Sequence, residues 1–176
     1  MGPRLRRFAL TVHITLSVGW IGAVAAYIAL DATTAMSQDG LTLRAAYLAM
    51  ELIVRSVIVP LALASLLTGL VMALGTKWGL FRHYWVLISL VLTIIATIVL
   101  LVETRVINIL ADIAADPATS TDDLRALPNT LIHSVGGTVI LGLVQVLNIY
   151  KPRGTTRYGQ RKQRELVAGG GARKAA

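Results

Sequence analysis

The sequence predicts an all-α fold: a four-helix transmembrane bundle, up-down-up-down, with the N and C termini both cytoplasmic. Three observations predict it. Four apolar stretches are each long enough to cross roughly 30 Å of hydrocarbon, which takes about 20 helical residues. None of them alternates polar and apolar residues as a barrel strand would. Hydrophobic residues make up 55% of the 176 residues and charged ones only 15%, with a mean hydropathy of +0.68; a soluble domain carries about 25% charge. So much apolar surface does not fit inside one small globule, which excludes a water-soluble enzyme and a disordered chain. Finally, the charges sort by side once the spans are drawn.

The first span runs from Phe8 to Leu30. Arg4, Arg6 and Arg7 ahead of it, with Ala23-Val24-Ala25 inside it, have the look of a secretory leader and its cleavage site. The apolar run continues through Tyr27, Ile28 and Leu30, however, and carries His13 and Trp20, so an uncleaved helix is expected. The second span, Leu52 to Leu74, should begin as a helix before the membrane, because Leu43, Ala46, Tyr47 and Met50 are helically spaced. Pro60 should kink it. The third span, Trp85 to Val102, should project outward along the stripe Val106, Ile107, Leu110, Ile113 and Ala114, until Asp116-Pro117 stops it. Thr121, as an N-cap before Asp122 and Asp123, should start one short turn that ends before Pro128. The fourth span runs from Thr130 to Tyr150. Residues 1–150 thus read as one transmembrane domain. Residues 151–176, with Gly169-Gly170-Gly171, read as a basic, disordered cytoplasmic tail.

Thirteen of the 17 Lys and Arg residues fall on the side that carries both termini, and eight of the nine acids fall on the other. The positive-inside rule makes the basic side cytoplasmic, in a multi-pass protein of the plasma (inner) membrane. The net charge of +8 is thereby assigned to topology. Its partners are the lipid bilayer and, at the basic tail, anionic headgroups; nucleic acid is not among them. Cysteine is absent, which excludes disulfides, thiolate metal sites, iron–sulfur clusters and cysteine nucleophiles.

Polar groups inside the membrane are where function is sought. His13 is followed at i+4 and i+7 by Ser17 and Trp20, with Gly19 and Gly22 nearby for close helix approach. It reads as a cofactor ligand or proton relay, or as a hydrogen-bonded strut. This face is expected to point into the bundle and pack on the third or fourth span. His83, within Trp78-Gly79-Leu80-Phe81-Arg82-His83-Tyr84-Trp85, is the second cofactor-binding candidate, in a segment with the composition of an interfacial aromatic belt. An outer polar cluster combines Glu51, Arg55, Glu103 and His133, with Arg105 at similar depth; it reads as a proton or cation site, or as helix-end ion pairing. Ser89, Thr93 and Thr97 form a helix-packing stripe at four-residue spacing, expected to hydrogen-bond across helices, and Gln145 and Asn148 read similarly. At 1.5 Å rise per residue, His13 and His133 stand about 16 Å apart along the membrane normal. Two axial histidines of one haem put their α-carbons only about 12–13 Å apart, given iron–nitrogen bonds near 2 Å. His13 with His83 is the pair compatible in depth.

The segment Val12 to Leu30, VHITLSVGWIGAVAAYIAL, with its histidine seven residues before Trp-x-Gly, resembles the first helix of small bacterial membrane proteins of the copper-resistance protein D type and of HemJ-type protoporphyrinogen oxidases. The segment from Pro60 to Leu101, with its core Trp-Gly-Leu-Phe-Arg-His-Tyr-Trp, is similar to a family of four-helix membrane proteins common in actinobacteria, to which no activity is attached. The HemJ-type likeness implies four helices, haem, and an essential first-helix histidine matched by His13. Where that pattern has a lysine in the third helix, this chain has Ser89.

Three function classes follow. A non-catalytic partner or scaffold in a membrane complex is placed first, because no span holds paired carboxylates and the chain has neither a metal motif nor a phosphate loop. It would sit with a membrane protein partner or a second copy of itself. A haem- or metal-binding redox protein centred on His13 is the second class, with haem the cofactor it admits. A small transporter or ion-conducting subunit is the third.

Overall fold

The computed structural model describes residues 1–76 and 79–174, with the backbone alone described beyond residue 165. Lys77 and Trp78 of the expected aromatic belt, and the side chains of Arg173 and Lys174, lie outside the described residues. Four of its helical segments are long and apolar enough to cross a membrane: Pro3–Met36, Gly40–Gly75, Tyr84–Ala115 and Leu131–Tyr150.

Helix α1, Pro3–Met36, opens with proline in its first turn, where a missing N–H leaves no bond unmade. Its buried residues are Trp20, Val24, Tyr27, Asp31 and Thr34. They alternate spacings of four and three, which keeps one seam facing the bundle along the whole upper helix. A tight connection leads to α2, Gly40–Ile53, capped by Asp39, whose carboxylate accepts the Thr42 N–H at 2.8 Å and the Thr42 hydroxyl at 2.6 Å. Those bonds hold the Asp39 carboxyl below the usual carboxylate range.

The break expected at Pro60 takes the form of a π-helical turn, Val54–Ile58, between α2 and α3, Val59–Gly75. Proline supplies no N–H to the ladder, and the turn before it widens so that the Val59 N–H reaches Val54 O. Helix α4, Tyr84–Ala115, projects beyond the third apolar span as its stripe predicts, and Ile107, Leu110 and Ala114 are buried. It stops at Asp116, ahead of Pro117. Helix α5, Thr121–Arg125, is capped by Ser120 rather than Thr121. The Ser120 hydroxyl and the Asp123 carboxylate form a reciprocal capping box, which Thr121 has no carboxylate three residues on to match. Helix α6, Leu131–Tyr150, is closed by Lys151 at a left-handed φ of 45°.

The tail departs from the disorder expected of it: Arg157–Lys174 forms α7. Its start is tied to the turn before α4, where Thr156 N–H donates to Arg82 O at 3.0 Å and Tyr84 N–H donates to Gly154 O at 3.2 Å. A Cβ at Gly159 would run into the Arg82 carbonyl, so this close docking needs glycine. Lys162 and Glu165 pair along the helix at 3.1 Å.

The four long helices close into a ring. Helix α1 packs on α2 and α3, these pack on α4, α4 packs on α6, and α6 returns to α1. The two ends of the ring differ. At the end away from the termini, Leu43, Met50, Ile58, Ile107 and Leu124 are almost wholly buried. Arg44 ties this end together: its guanidinium donates to Ala114 O at 2.7 Å, to Asp116 O at 2.6 Å and to Thr119 O. At the basic end, which carries both termini, the helices stand apart around a cavity.

Candidate functional site

The cavity at the basic end measures about 800 Å³ and lies between α1, α3, α4 and α6. Arg6, Arg7 and Lys151 line its mouth, apolar side chains and Trp85 its walls, and His13, Ser17, Ser65, Ser89, Thr93, Gln145 and Asn148 its polar patches. Trp20 and Leu141 form its floor, since both also line a smaller pocket of about 80 Å³ further along the bundle axis.

His13 points into the bundle, as its face predicts, but packs on the second span rather than the third or fourth. Its Nδ1 lies 3.0 Å from Thr68 Oγ1. Ser17 Oγ lies 2.8 Å from Ser65 Oγ. Gly69 makes room for the imidazole, because a Cβ there would come 3.0 Å from His13 Cε1. The reason is visible in α3: Ser65, Thr68 and Gly69 present two hydroxyls and a gap at helical spacing, whereas α4 and α6 face His13 only across the cavity.

The hydroxyl protons fix the histidine tautomer. Thr68 Oγ1 lies 2.8 Å from Ala64 O and 3.1 Å from Ser65 O, so its single proton goes to its own helix. With that proton on its own helix, the Thr68 oxygen accepts from His13 Nδ1–H. In that tautomer Nε2 carries the lone pair, and His13 lines the cavity. In the same way Ser17 donates to His13 O at 2.8 Å and accepts from Ser65. Thr68 thus orients the imidazole, as a second residue orients a metal-ligating histidine.

The stripe on α4 faces the bundle, with Ser89 and Thr97 buried, but among the described residues it does not bond across helices. Thr93 and Thr97 each donate to the carbonyl four residues back on α4, Ser89 O at 2.7 Å and Thr93 O at 2.8 Å. Threonine in a helix reaches that carbonyl without leaving its own turn. Ser89, 6% exposed, has no hydrogen-bond partner for its Oγ, and it lines the cavity opposite His13.

His83 is not brought to His13. It is the N-cap residue of α4, bridged through its backbone to Thr155, and it does not line the cavity. The outer cluster resolves into two pairs. Glu51 and Arg55 meet at 3.0 Å along one helix, with the arginine side chain 63% exposed. Glu103 and His133 approach to 3.6 Å between α4 and α6. Both residues of the second pair line the smaller pocket, together with Tyr27, Thr130 and Ser134.

The sequence reading missed Asp31, which it placed in the first outer loop. Helix α1 continues through it, and the side chain is 1% exposed. Its Oδ2 accepts from Thr130 Oγ1 at 2.9 Å and Ser134 Oγ at 3.0 Å, and its Oδ1 accepts from Asn129 Nδ2 at 3.3 Å. The signal was present: His13, Ser17, Trp20, Val24, Tyr27, Asp31 and Thr34 continue one seam of alternating four- and three-residue steps.

No family model, curated protein or solved structure matches the chain. The site must be read from its own chemistry.

Proposed function

We propose that this integral membrane protein binds a planar, largely apolar ligand with an acidic edge in the cavity at its basic end, and that haem is that ligand. The observation that carries this reading is His13, held through Nδ1 by Thr68 on the wall of a cavity of about 800 Å³. Ligand pockets run from about 300 to 1,000 Å³, mostly apolar with a few placed polar groups. The orphaned hydroxyl of Ser89 supports a polar group or ordered water in the same space. Arg6 and Arg7 at the mouth suit carboxylates on the ligand's edge.

Haem is favoured over a bare metal ion by the donor set. Among the described residues no group of three or more His, Cys, Asp or Glu could hold an ion. A haem brings four nitrogens of its own and needs one axial histidine. It would supply one-electron redox chemistry when bound. His13 would ligate it, Thr68 would orient His13, and the floor of Trp20 and Leu141 would keep the ligand from the far half of the bundle. This reading agrees with the resemblance of α1 to HemJ-type proteins, with Ser89 in place of their lysine. The basic end faces the cytoplasm of the plasma membrane, and its tail lies against anionic headgroups, by the positive-inside argument.

A partner or scaffold role has its own support. Helix α1 is about 51 Å long by its rise and outreaches the hydrocarbon. Met36 at its far end is 79% exposed, and Leu41 and Ile132 on the neighbouring helix starts are 77% and 85% exposed.

Detergent-purified protein titrated with haemin separates the two readings. Saturable binding of one haemin per chain, with a Soret band shifted from that of free haemin, is the expected result. A colourless protein that takes up no haemin and co-purifies with a stoichiometric membrane partner would replace the haem reading with the scaffold one.

A further inference from the structure

Asp31 is a carboxylate enclosed in a membrane bundle, and none of the ion pairs among the described residues includes it. Arg44, the cation of α2 at this end, has its guanidinium committed to three backbone carbonyls. Buried charges are costly without a partner, and ionisable residues within spans are candidates for function. The groups that face Asp31 are Tyr27 on its own helix, Tyr47 on α2, and Asn129, Thr130 and Ser134 at the start of α6. Glu103 on α4 and His133 on α6 follow on the wall of the adjoining pocket.

The hydroxyls around it form an ordered chain. Tyr27 Oη lies 2.9 Å from Thr130 Oγ1, and Thr130 Oγ1 lies 2.9 Å from Asp31 Oδ2. Thr130 has one proton. When Asp31 is charged, Thr130 donates to it and accepts from Tyr27. When Asp31 is protonated, every bond reverses: Asp31 donates to Thr130, Thr130 to Tyr27, and the phenol turns its proton to the pocket. Oδ1 keeps its bond from Asn129 in both states. Tyr27 also lines the pocket of about 80 Å³ between Trp20, Glu103 and His133. A water needs about 10–15 Å³ of such volume and two or more polar partners, so the pocket has room for water beside Tyr27, Glu103, Thr130, His133 and Ser134.

We propose that Asp31 is a proton-binding site, loaded from water in this pocket through Tyr27 and Thr130. In the loading step a proton from the acidified bath, carried into the pocket as hydronium, passes to the Tyr27 oxygen and leaves a neutral water behind. The phenol passes its own proton to Thr130, and Thr130 passes its own to Asp31 Oδ2. Tyrosine and threonine end neutral, and the carboxylate becomes a neutral acid. The Glu103–His133 pair stands where the pocket meets the surface, with the His133 side chain 57% exposed, and supplies the route by which the water exchanges protons with the far face. None of this depends on what the larger cavity holds.

Infrared difference spectra of the protein in liposomes, recorded as the bath is stepped from alkaline to acidic, test it. The wild type should gain the C=O band of a carboxylic acid in a dry, hydrogen-bonded site. Asp31→Asn, which keeps the shape and an oxygen acceptor, should lose that band while retaining its helical circular dichroism. Tyr27→Phe should keep the band but slow its appearance after a rapid pH step at least tenfold. An unchanged band in Asp31→Asn, or no such band in the wild type, would overturn the assignment. A band that loads at the wild-type rate in Tyr27→Phe would overturn the pathway.

Discussion

His13→Ala protein is expected to bind no haemin saturably, while keeping its helical content and its elution as a folded species in detergent. The imidazole lines a cavity rather than filling the dense far-end core, so its removal takes away a ligand and little packing. Thr68→Val separates orientation from ligation. It leaves His13 in place but removes the oxygen that accepts the Nδ1 proton at 3.0 Å. Loss of such a supporting bond weakens metal affinity about 10–100-fold, and Thr68→Ser should restore most of it. His83→Ala and His133→Ala should bind as the wild type, because neither side chain lines this cavity. Haemin titrations of the five variants, followed at the Soret band, check all of these. Equal affinity in His13→Ala and wild type would remove His13 from the site.

Trp20→Ala is expected to lower stability by about 3–5 kcal/mol, the usual cost of truncating a buried aromatic. The indole is 3% exposed and forms, with Leu141, the floor between the two cavities. Its loss joins the 80 Å³ pocket to the larger cavity, so hydrogen exchange around Tyr27 should rise as well. Trp20→Phe should recover most of both effects. Chemical or thermal unfolding in a fixed detergent, with exchange read by mass spectrometry, measures them. A Trp20→Ala protein as stable as the wild type would mean that the floor is not packed as described.

The four spans were legible because length and hydrophobicity act locally: about 20 apolar residues without a charge specify a spanning helix. The extensions were legible too, since Leu43, Tyr47 and Met50 on α2, and Ile107, Leu110 and Ala114 on α4, are buried at the positions their spacing predicts. Asp116-Pro117 and Pro60 acted where they stand. What failed was pairing between helices. The face of His13 and Ser17 was plain in α1, but its partner was set by which neighbour offered Ser65, Thr68 and Gly69, and hydropathy carries no such information. The α4 stripe faced inward as its spacing said, yet its two threonine hydroxyls satisfied themselves on their own helix and the Ser89 hydroxyl was left orphaned. Asp31 was lost to a boundary rule: a charge was taken to end the span, although Ala32, Thr33, Thr34 and Ala35 contain nothing to stop a helix. Following the seam from Trp20 through Val24 and Tyr27 would have placed Asp31 on the buried face.

The chain has no cysteine, so a single introduced thiol reports without background. Ser89→Cys puts that thiol on the cavity wall, opposite His13 and in place of the orphaned hydroxyl. The measurement that bears most directly on a ligand cavity open to the basic end is its labelling by a membrane-impermeant maleimide. Labelling should occur in vesicles that expose the basic end, be absent from vesicles of the opposite orientation, and fall sharply when haemin is added first. A thiol that reacts from neither side, or that reacts equally with and without haemin, would contradict the account.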